Sequence, residues 1–396
     1  MTHAIVIGGG ATGVGVARDL SLRGVDVTLL ERGGLGAGTT GRSHGVLHSG
    51  ARYAAVDPEG AADCIRENRI LREIAGTAVS ETGGLFVQLP DDPNDAFERR
   101  AAACEELGIS VERLDPKTAR EREPELPSDV ERALAVPDGV VSPGRLVAVT
   151  ADAARRNGAR IRTDTPVTDV LVDGDRVVGV ETADERLRAD YVVNATGAWA
   201  GEIVSLAGIE LRMAPTKGAM VAVSEPDVGS VLNRSRRPSD GDIAVPYRGG
   251  VVLGTTSTPV EDPDDVATDG ATVERLLGEG EALLPGVAEA PIDRVYCGVR
   301  PLYGGDRDGR SAPRGFRLLD HTEEGRSGFL SIVGGKLTTH RLMAEAVSDH
   351  VCGVLGIDEP CRTHEIPLPA AEGTRFDELC EQFDVGGPAD ETFTFR

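Results

Sequence analysis

Three glycines and one acid near the N-terminus are the first residues in this chain whose types and spacing could do chemistry. Gly8, Gly10 and Gly13 fall as G-x-G-x-x-G, and Glu31 closes the apolar run that comes next. In a dinucleotide grip the first glycine permits a tight turn and the second lets the backbone approach a pyrophosphate. The third lets helix and strand pack closely. Free amides at the helix start then hold anionic phosphates. Glu31 can accept hydrogen bonds from ribose hydroxyls, and its charge disfavours a 2′-phosphate. Residues 36–43 read G-A-G-T-T-G-R-S where an NAD enzyme would begin another strand–helix unit. Thr39, Thr40 and Ser43 suit the phosphates and ribityl chain of a longer cofactor, which favours FAD.

Two further spots carry chemistry. At residues 334–339, G-G-K-L-T-T, a strand end runs into a helix start, where unpaired N–H groups and Lys336 concentrate positive potential. His48 lies in an H-S-G turn and, as the side-chain type that ordinarily titrates near neutrality, can act as a base. His44 is the alternative.

The elements needed to position these groups are legible. Residues 4–7 read as a buried parallel strand, 14–22 as a helix with Val14, Val16, Ala17, Leu20 and Leu22 apolar, and Gly24 as its stop. A second strand covers 25–30. Residues 85–89 predict a strand entering a second domain, 95–107 a polar helix and 142–157 a helix returning to the first. A hairpin through Asp173-Gly174-Asp175 joins strands at 165–172 and 177–182. Short strands at 218–223, 243–246 and 251–254 predict an antiparallel sheet roofing the cofactor. A strand at 329–333 and a helix from about Leu337 complete the pattern. The expected class is α/β. A discontinuous FAD-binding domain covers 1–80, 140–210 and 296–361, a substrate-covering cap covers 81–139 and 211–295, and 362–396 is a tail.

Composition narrows the partners. The chain of 396 residues carries 65 acidic against 42 basic side chains, a net charge of −23, and only three of the basic residues are lysines: Lys117, Lys217 and Lys336. Such a surface has no basic stripe for nucleic acid. It suits high salt, where dense carboxylates stay hydrated and their repulsion is screened. The six cysteines form no C-x-x-C pair, so no metal or cluster site is expected and free thiols are. No apolar run approaches membrane-spanning length and no leader is read, so the expected location is cytoplasmic.

Several segments together carry a resemblance. They are T-T-G-R-S-H-G-V-L-H-S-G-A-R-Y at 39–53, A-T-G-A-W at 195–199, R-P-S-D at 237–240, G-V-R-P-L at 298–302 and G-G-K-L-T-T-H-R at 334–341. With these the chain resembles the flavin-dependent glycerol-3-phosphate dehydrogenases, in the form of the catalytic component of the anaerobic, multi-subunit branch. That family sits among the D-amino-acid-oxidase-like flavoproteins. The resemblance implies a Rossmann-like FAD domain interrupted by the cap. It implies oxidation of sn-glycerol 3-phosphate to dihydroxyacetone phosphate by hydride transfer to FAD, with electrons passed to a quinone or partner subunit. It also implies partner subunits that dock the protein on the inner face of the membrane. It places Gly335, Lys336, Leu337 and Thr338 at the flavin pyrimidine edge, Val167 on the adenine side, Gly197 against the cofactor, and His48 close to the flavin. Arg52 and Arg300, beside Tyr53 and Pro301, become the cations for the substrate phosphate, with Lys336. Lys217 and Arg237 are weaker candidates, and Thr255, Thr256 and Ser239 read as structural.

The anaerobic branch usually carries a C-terminal cysteine-rich domain, whereas the tail here holds only Cys380, so either this sequence is a trimmed form or this version lacks the domain. Two other functions share the scaffold: a 2-hydroxy-acid oxidase or dehydrogenase, and a non-catalytic flavin electron-transfer subunit. G-V-R-P-L with G-G-K-L-T-T-H-R argues against the first, and the joint presence of His48, Arg52, Arg300 and Lys336 argues against the second.

Overall fold

A computed structural model of the chain describes residues 2–247, 249–304 and 315–387. At its centre is a six-stranded sheet in the order Phe316–Asp320, Phe329–Gly334, Tyr191–Asn194, His3–Ile7, Asp26–Leu30, Arg160–Arg162. All neighbours pair in parallel except the edge strand Phe316–Asp320. A parallel sheet needs cover on both faces, which is why His3–Ile7 is almost wholly apolar and buried. The helices Ala11–Leu22, Pro143–Arg156 and His340–Leu355 pack on one face, where Val14, Val16, Ala17 and Leu20 are fully buried. Each of the larger ones, Val14, Val16 and Leu20, contributes about 1.5–3 kcal/mol by leaving water. The opposite face is covered by Val204, Ile209 and the hairpin Val167–Asp173/Arg176–Thr182. Ser142 caps the helix Pro143–Arg156 and Asn157 ends it, as the sequence expects.

The two stretches between the parallel strands join in one nine-stranded sheet. Its order is Thr258–Pro259, Thr216–Val223, Gly250–Gly254, Ile243–Tyr247, Val231–Arg234, Gly84–Gln88, Arg132–Val136, Glu112–Leu114, with Ile292–Arg300 pairing Thr216–Val223 as well. Pairing is antiparallel throughout, except that Gly84–Gln88 and Val231–Arg234 run parallel. The helix Gly270–Glu281 lies over the sheet with Leu276 buried.

Three expectations shift. Ile292–Arg300 is one continuous strand of this nine-stranded sheet, registering Arg300 against Thr216, so the sheet runs past the boundary expected at residue 296. The helix expected from Leu337 begins as the short 3-10 turn Leu337–Thr339, and the α-helix starts at His340. The reason is that the Lys336 amide donates to Thr339 Oγ1 at 3.1 Å, which tightens the first turn. Finally, the segment read as a tail packs into the FAD-side core. Phe376, Leu379 and Phe383 of the helix Thr374–Phe383 are buried there. Leu35 donates its amide to the Phe383 carbonyl at 3.1 Å, and Gly34 lies so close to Asp384 that a Cβ would fall 1.8 Å from its carbonyl oxygen.

Candidate active site

The turn after His3–Ile7 depends on glycine at two positions. Gly8 sits at φ +108°, and a Cβ there would lie 2.7 Å from the Ala195 carbonyl oxygen. A Cβ on Gly13 would lie 1.9 Å from the Gly8 carbonyl oxygen, so the helix Ala11–Leu22 can approach its strand only with glycine there. Gly13 thus acts through packing, whereas Gly8 and Gly10 face the cleft. Glu31 accepts from the Gly9 amide at 2.6 Å and from Gly33 at 3.0 Å. An ionised carboxylate has about four lone-pair sites, so these two bonds leave room for ribose hydroxyls.

Beyond this turn opens a cavity of about 670 Å³ that runs between the parallel sheet and the cap. Thr39, Thr40 and Ser43 line it, as do Val167, Gly197, Gly335, Lys336 and Leu337. The hydroxyls also build the loop itself. Thr39 Oγ1 donates to the Val299 carbonyl at 2.7 Å, Thr40 Oγ1 accepts from the Ala11 amide at 3.1 Å, and Ser43 Oγ accepts from Gly45 at 3.4 Å. Thr338 does not line the cavity. It is fully buried, and its hydroxyl accepts the His48 amide at 3.0 Å.

His48, Tyr53, Arg300 and Lys336 all line the cavity, and the first two and Lys336 lie together. The His48 and Tyr53 rings stand edge-on with centroids 5.3 Å apart, and His44 lies 5.9 Å from His48. Lys336 Nζ is 4.7 Å from the centre of the Tyr53 ring. The Arg300 guanidinium bonds Thr255 Oγ1 and, at 3.0 Å, the Thr256 carbonyl. It crosses Gly218, where a Cβ would fall 2.7 Å from Arg300 Nη2. Ser49, next to His48, donates its amide to the buried Asp138 carboxylate at 2.7 Å. Burial is the main influence on that carboxyl, and it pushes the pKa upward.

Arg52 departs from its expected place. Its guanidinium pairs with Asp242 at 2.7 Å and with Asn233 Oδ1 at 3.0 Å, and it does not line the cavity. Burial works against its charge, but the Asp242 carboxylate outweighs that and holds its pKa above the usual arginine value. The neighbouring Tyr53 turns into the cavity while Arg52 ties this loop to the cap. Lys217 points to Asp265 and the Ala267 carbonyl, and Arg237 is exposed; neither reaches the cavity wall. Thr256 Oγ1 accepts from the Ala219 amide at 2.9 Å and Ser239 donates its amide to Asp242, both structural uses.

Other wall residues escaped the sequence reading: Arg32, Trp199, Glu202, Asp264 and His340. One signal was available, since Trp199 is the sole tryptophan of the chain. His340 lies within the G-G-K-L-T-T-H-R run, yet nothing in the sequence says that its ring is buried. Burial pushes its pKa down to about 4, so it is a neutral imidazole, with Nδ1 2.8 Å from the Leu337 carbonyl.

Residues 3–341 match the model of the FAD dependent oxidoreductase family, DAO. The chain is 50% identical over 388 residues to the A1-type subunit of the anaerobic glycerol-3-phosphate dehydrogenase of Haloferax volcanii, covering 93% of this chain and 66% of that protein. It is 45% identical to the A-type subunit of the anaerobic glycerol-3-phosphate dehydrogenase of Escherichia coli K12, covering 94% and 70%. This chain belongs to the FAD dependent oxidoreductases, among the A-type subunits of the anaerobic glycerol-3-phosphate dehydrogenases.

As a DAO-family chain it shares its fold with solved flavoproteins. Glycine oxidase from Geobacillus kaustophilus superposes with a TM-score of 0.75 at 25% identity, covering 94% of this chain and all of that one. The glycerol-3-phosphate dehydrogenase from Bacillus halodurans, complexed with FAD, superposes with a TM-score of 0.73 at 23% identity, covering 97% and 71%. The chain spans about two thirds of the length of the curated A-type relatives it matches. Its cofactor is FAD. The residues present fit that group: the turn that a Cβ at Gly8 would fill, the acid at Glu31 and the long cavity continue from one to the other. Among the described residues no helix is long and apolar enough to cross a membrane.

Proposed function

We propose that this chain oxidises sn-glycerol 3-phosphate to dihydroxyacetone phosphate and passes the electrons to a quinone or a partner subunit. The reading is carried by one observation: two cations, an aromatic hydroxyl and a histidine all line the cavity that also holds the dinucleotide turn. A dianionic substrate approaching a chain of net charge −23 meets long-range repulsion, so local cations must hold it. Arg300 and Lys336 supply two positive charges, and the planar guanidinium of Arg300 can take two phosphate oxygens at once. Tyr53 orients the three-carbon backbone. His48 takes the proton of the C2 hydroxyl as the hydrogen on C2 itself leaves as hydride, the work of a general base. Bound FAD supplies the two-electron acceptor. The cap sheet covers the cavity and keeps water from the reacting carbon.

The names of the curated relatives support this substrate, and their naming as subunits supports a partner. The reading puts the chain in the cytoplasm, peripheral on the membrane through that partner. It also takes Thr216–Val223, Ile292–Arg300 and their neighbours as the substrate-covering cap. The test is anaerobic addition of sn-glycerol 3-phosphate to the flavin-loaded protein in high salt. Bleaching of the flavin absorption by this phosphate, and not by 2-hydroxyglutarate, is the expected result. Bleaching by the hydroxy acid alone, or by neither, overturns the reading.

A further inference from the structure

A short acidic segment of the cap reaches across the mouth of the cleft. Within residues 262–267 the turn is held by its own bonds, Asp264 N to Asp262 Oδ1 at 2.8 Å and Val266 N to the Asp264 carbonyl at 2.9 Å. Lys217 fastens its base to the cap sheet. Its ammonium meets both Asp265 carboxylate oxygens at 3.1 and 3.0 Å and the Ala267 carbonyl at 3.0 Å. At the tip, Pro263, Asp264 and Val266 form part of the cavity wall.

The tip is bonded to the opposite side. Asp264 Oδ1 accepts from Arg32 Nη2 at 3.0 Å and from Trp199 Nε1 at 3.1 Å. Arg32 in turn lies over the Trp199 ring, 4.5 Å from its centre. Trp199 is seated on Gly38, where a Cβ would come within 3.0 Å of the indole. Arg32 directly follows the ribose acid Glu31, and Gly38 belongs to the phosphate loop. The bridge therefore lies beside the ribose acid and the phosphate loop.

We propose that residues 262–267 are a latch over the cofactor, with Asp264 as its pin and Lys217 as its anchor, and that it governs how fast FAD enters and leaves. The pin is made to open. Arg32 and Asp264 are both more than half exposed, and such a pair in water is weak. The indole bond and the stacked guanidinium add direction without welding the two sides together. A latch of this kind differs from a direct ligand of the cofactor. Breaking it must speed entry as well as exit, since the closed bridge obstructs both.

The experiment follows FAD fluorescence, measuring release after dilution of the loaded protein and uptake by the flavin-free protein. It compares wild type with Asp264→Ala, Arg32→Ala and the double variant, and uses Arg186→Ala as a control that breaks an unrelated exposed pair with Glu181. The expected result is that Asp264→Ala and Arg32→Ala each raise both rates about fivefold, the double variant adds little, and Arg186→Ala changes neither. Lys217→Met is expected to act in the same direction. Faster release with unchanged uptake would make Asp264 an ordinary cofactor contact and overturn the latch, and so would wild-type rates in both single variants.

Discussion

The Arg52 guanidinium and the Asp242 carboxylate form a buried pair 2.7 Å apart that joins the loop after His48 to the cap sheet. Removing one partner leaves a charge stranded away from water, which costs about 3–5 kcal/mol. Arg52→Ala is therefore expected to lower the thermal midpoint strongly, and Asp242→Ala to do the same. The double change to Met and Leu should recover much of the loss. Melting curves in high salt test this; a variant that melts like wild type but has a greatly raised KM would return Arg52 to the substrate.

Gly218 offers a way to disturb Arg300 without removing its charge. A methyl group at this position meets the guanidinium at 2.7 Å, and a flexible side chain yields more readily than a strand. Gly218→Ala is expected to raise KM for the phosphate substrate several-fold, with kcat changed less and flavin content retained. Arg300→Ala should show the same pattern more strongly, by about a hundredfold if a charge-assisted bond worth roughly 3 kcal/mol is lost. Steady-state kinetics on the two variants distinguishes this from a role in turnover, which would move kcat instead.

His48 is expected to show the opposite split. His48→Asn should lower kcat by about 10²–10⁴ while leaving KM and the bound flavin nearly unchanged. Stopped-flow measurement of flavin reduction reads this step directly. An unaltered reduction rate would remove His48 as the base, and the same experiment on His44→Asn would then name its replacement.

His340 makes a prediction about acid. Its buried imidazole is neutral down to about pH 4, whereas in the unfolded chain it protonates near 6.5. As pH falls through 6.5 the unfolded state takes up a proton that the folded state refuses. The stability present above pH 6.5 is then withdrawn progressively down to about pH 4, by up to about 3 kcal/mol. Melting midpoints at pH 7.5 and 5 should therefore fall further in wild type than in His340→Gln. Parallel profiles would show that this ring does not contribute.

Much of this site could be read before any fold was known, and the reason is physical. The glycines at 8 and 13 are demanded by backbone geometry, and such local demands leave their mark in the sequence. Strand and helix periods did the same for the parallel sheet and the helix Pro143–Arg156. What stayed hidden depended on contacts between distant segments. Nothing near Arg52 announces that Asp242 will face it, and nothing near Asp264 announces Trp199. The segment after residue 361 looked like a tail because its few apolar residues, Phe376, Leu379 and Phe383, give a weak pattern. Their importance comes from the core they enter. Lys336 stood out for the converse reason, since a chain with three lysines makes each one conspicuous.

The bond from Leu35 to Phe383 bears on how the protein is made. The phosphate loop follows Leu35, but the helix Thr374–Phe383 against which it rests is far removed from it in sequence. During synthesis the bond of Thr40 to Ala11 can form early, but the contact of Leu35 with Phe383 waits until the helix Thr374–Phe383 has been made, and so distant a closure is slow to find. Firm flavin loading thus waits on the helix Thr374–Phe383, and a polypeptide interrupted before Phe383 would carry every residue of the dinucleotide turn yet hold its cofactor less firmly.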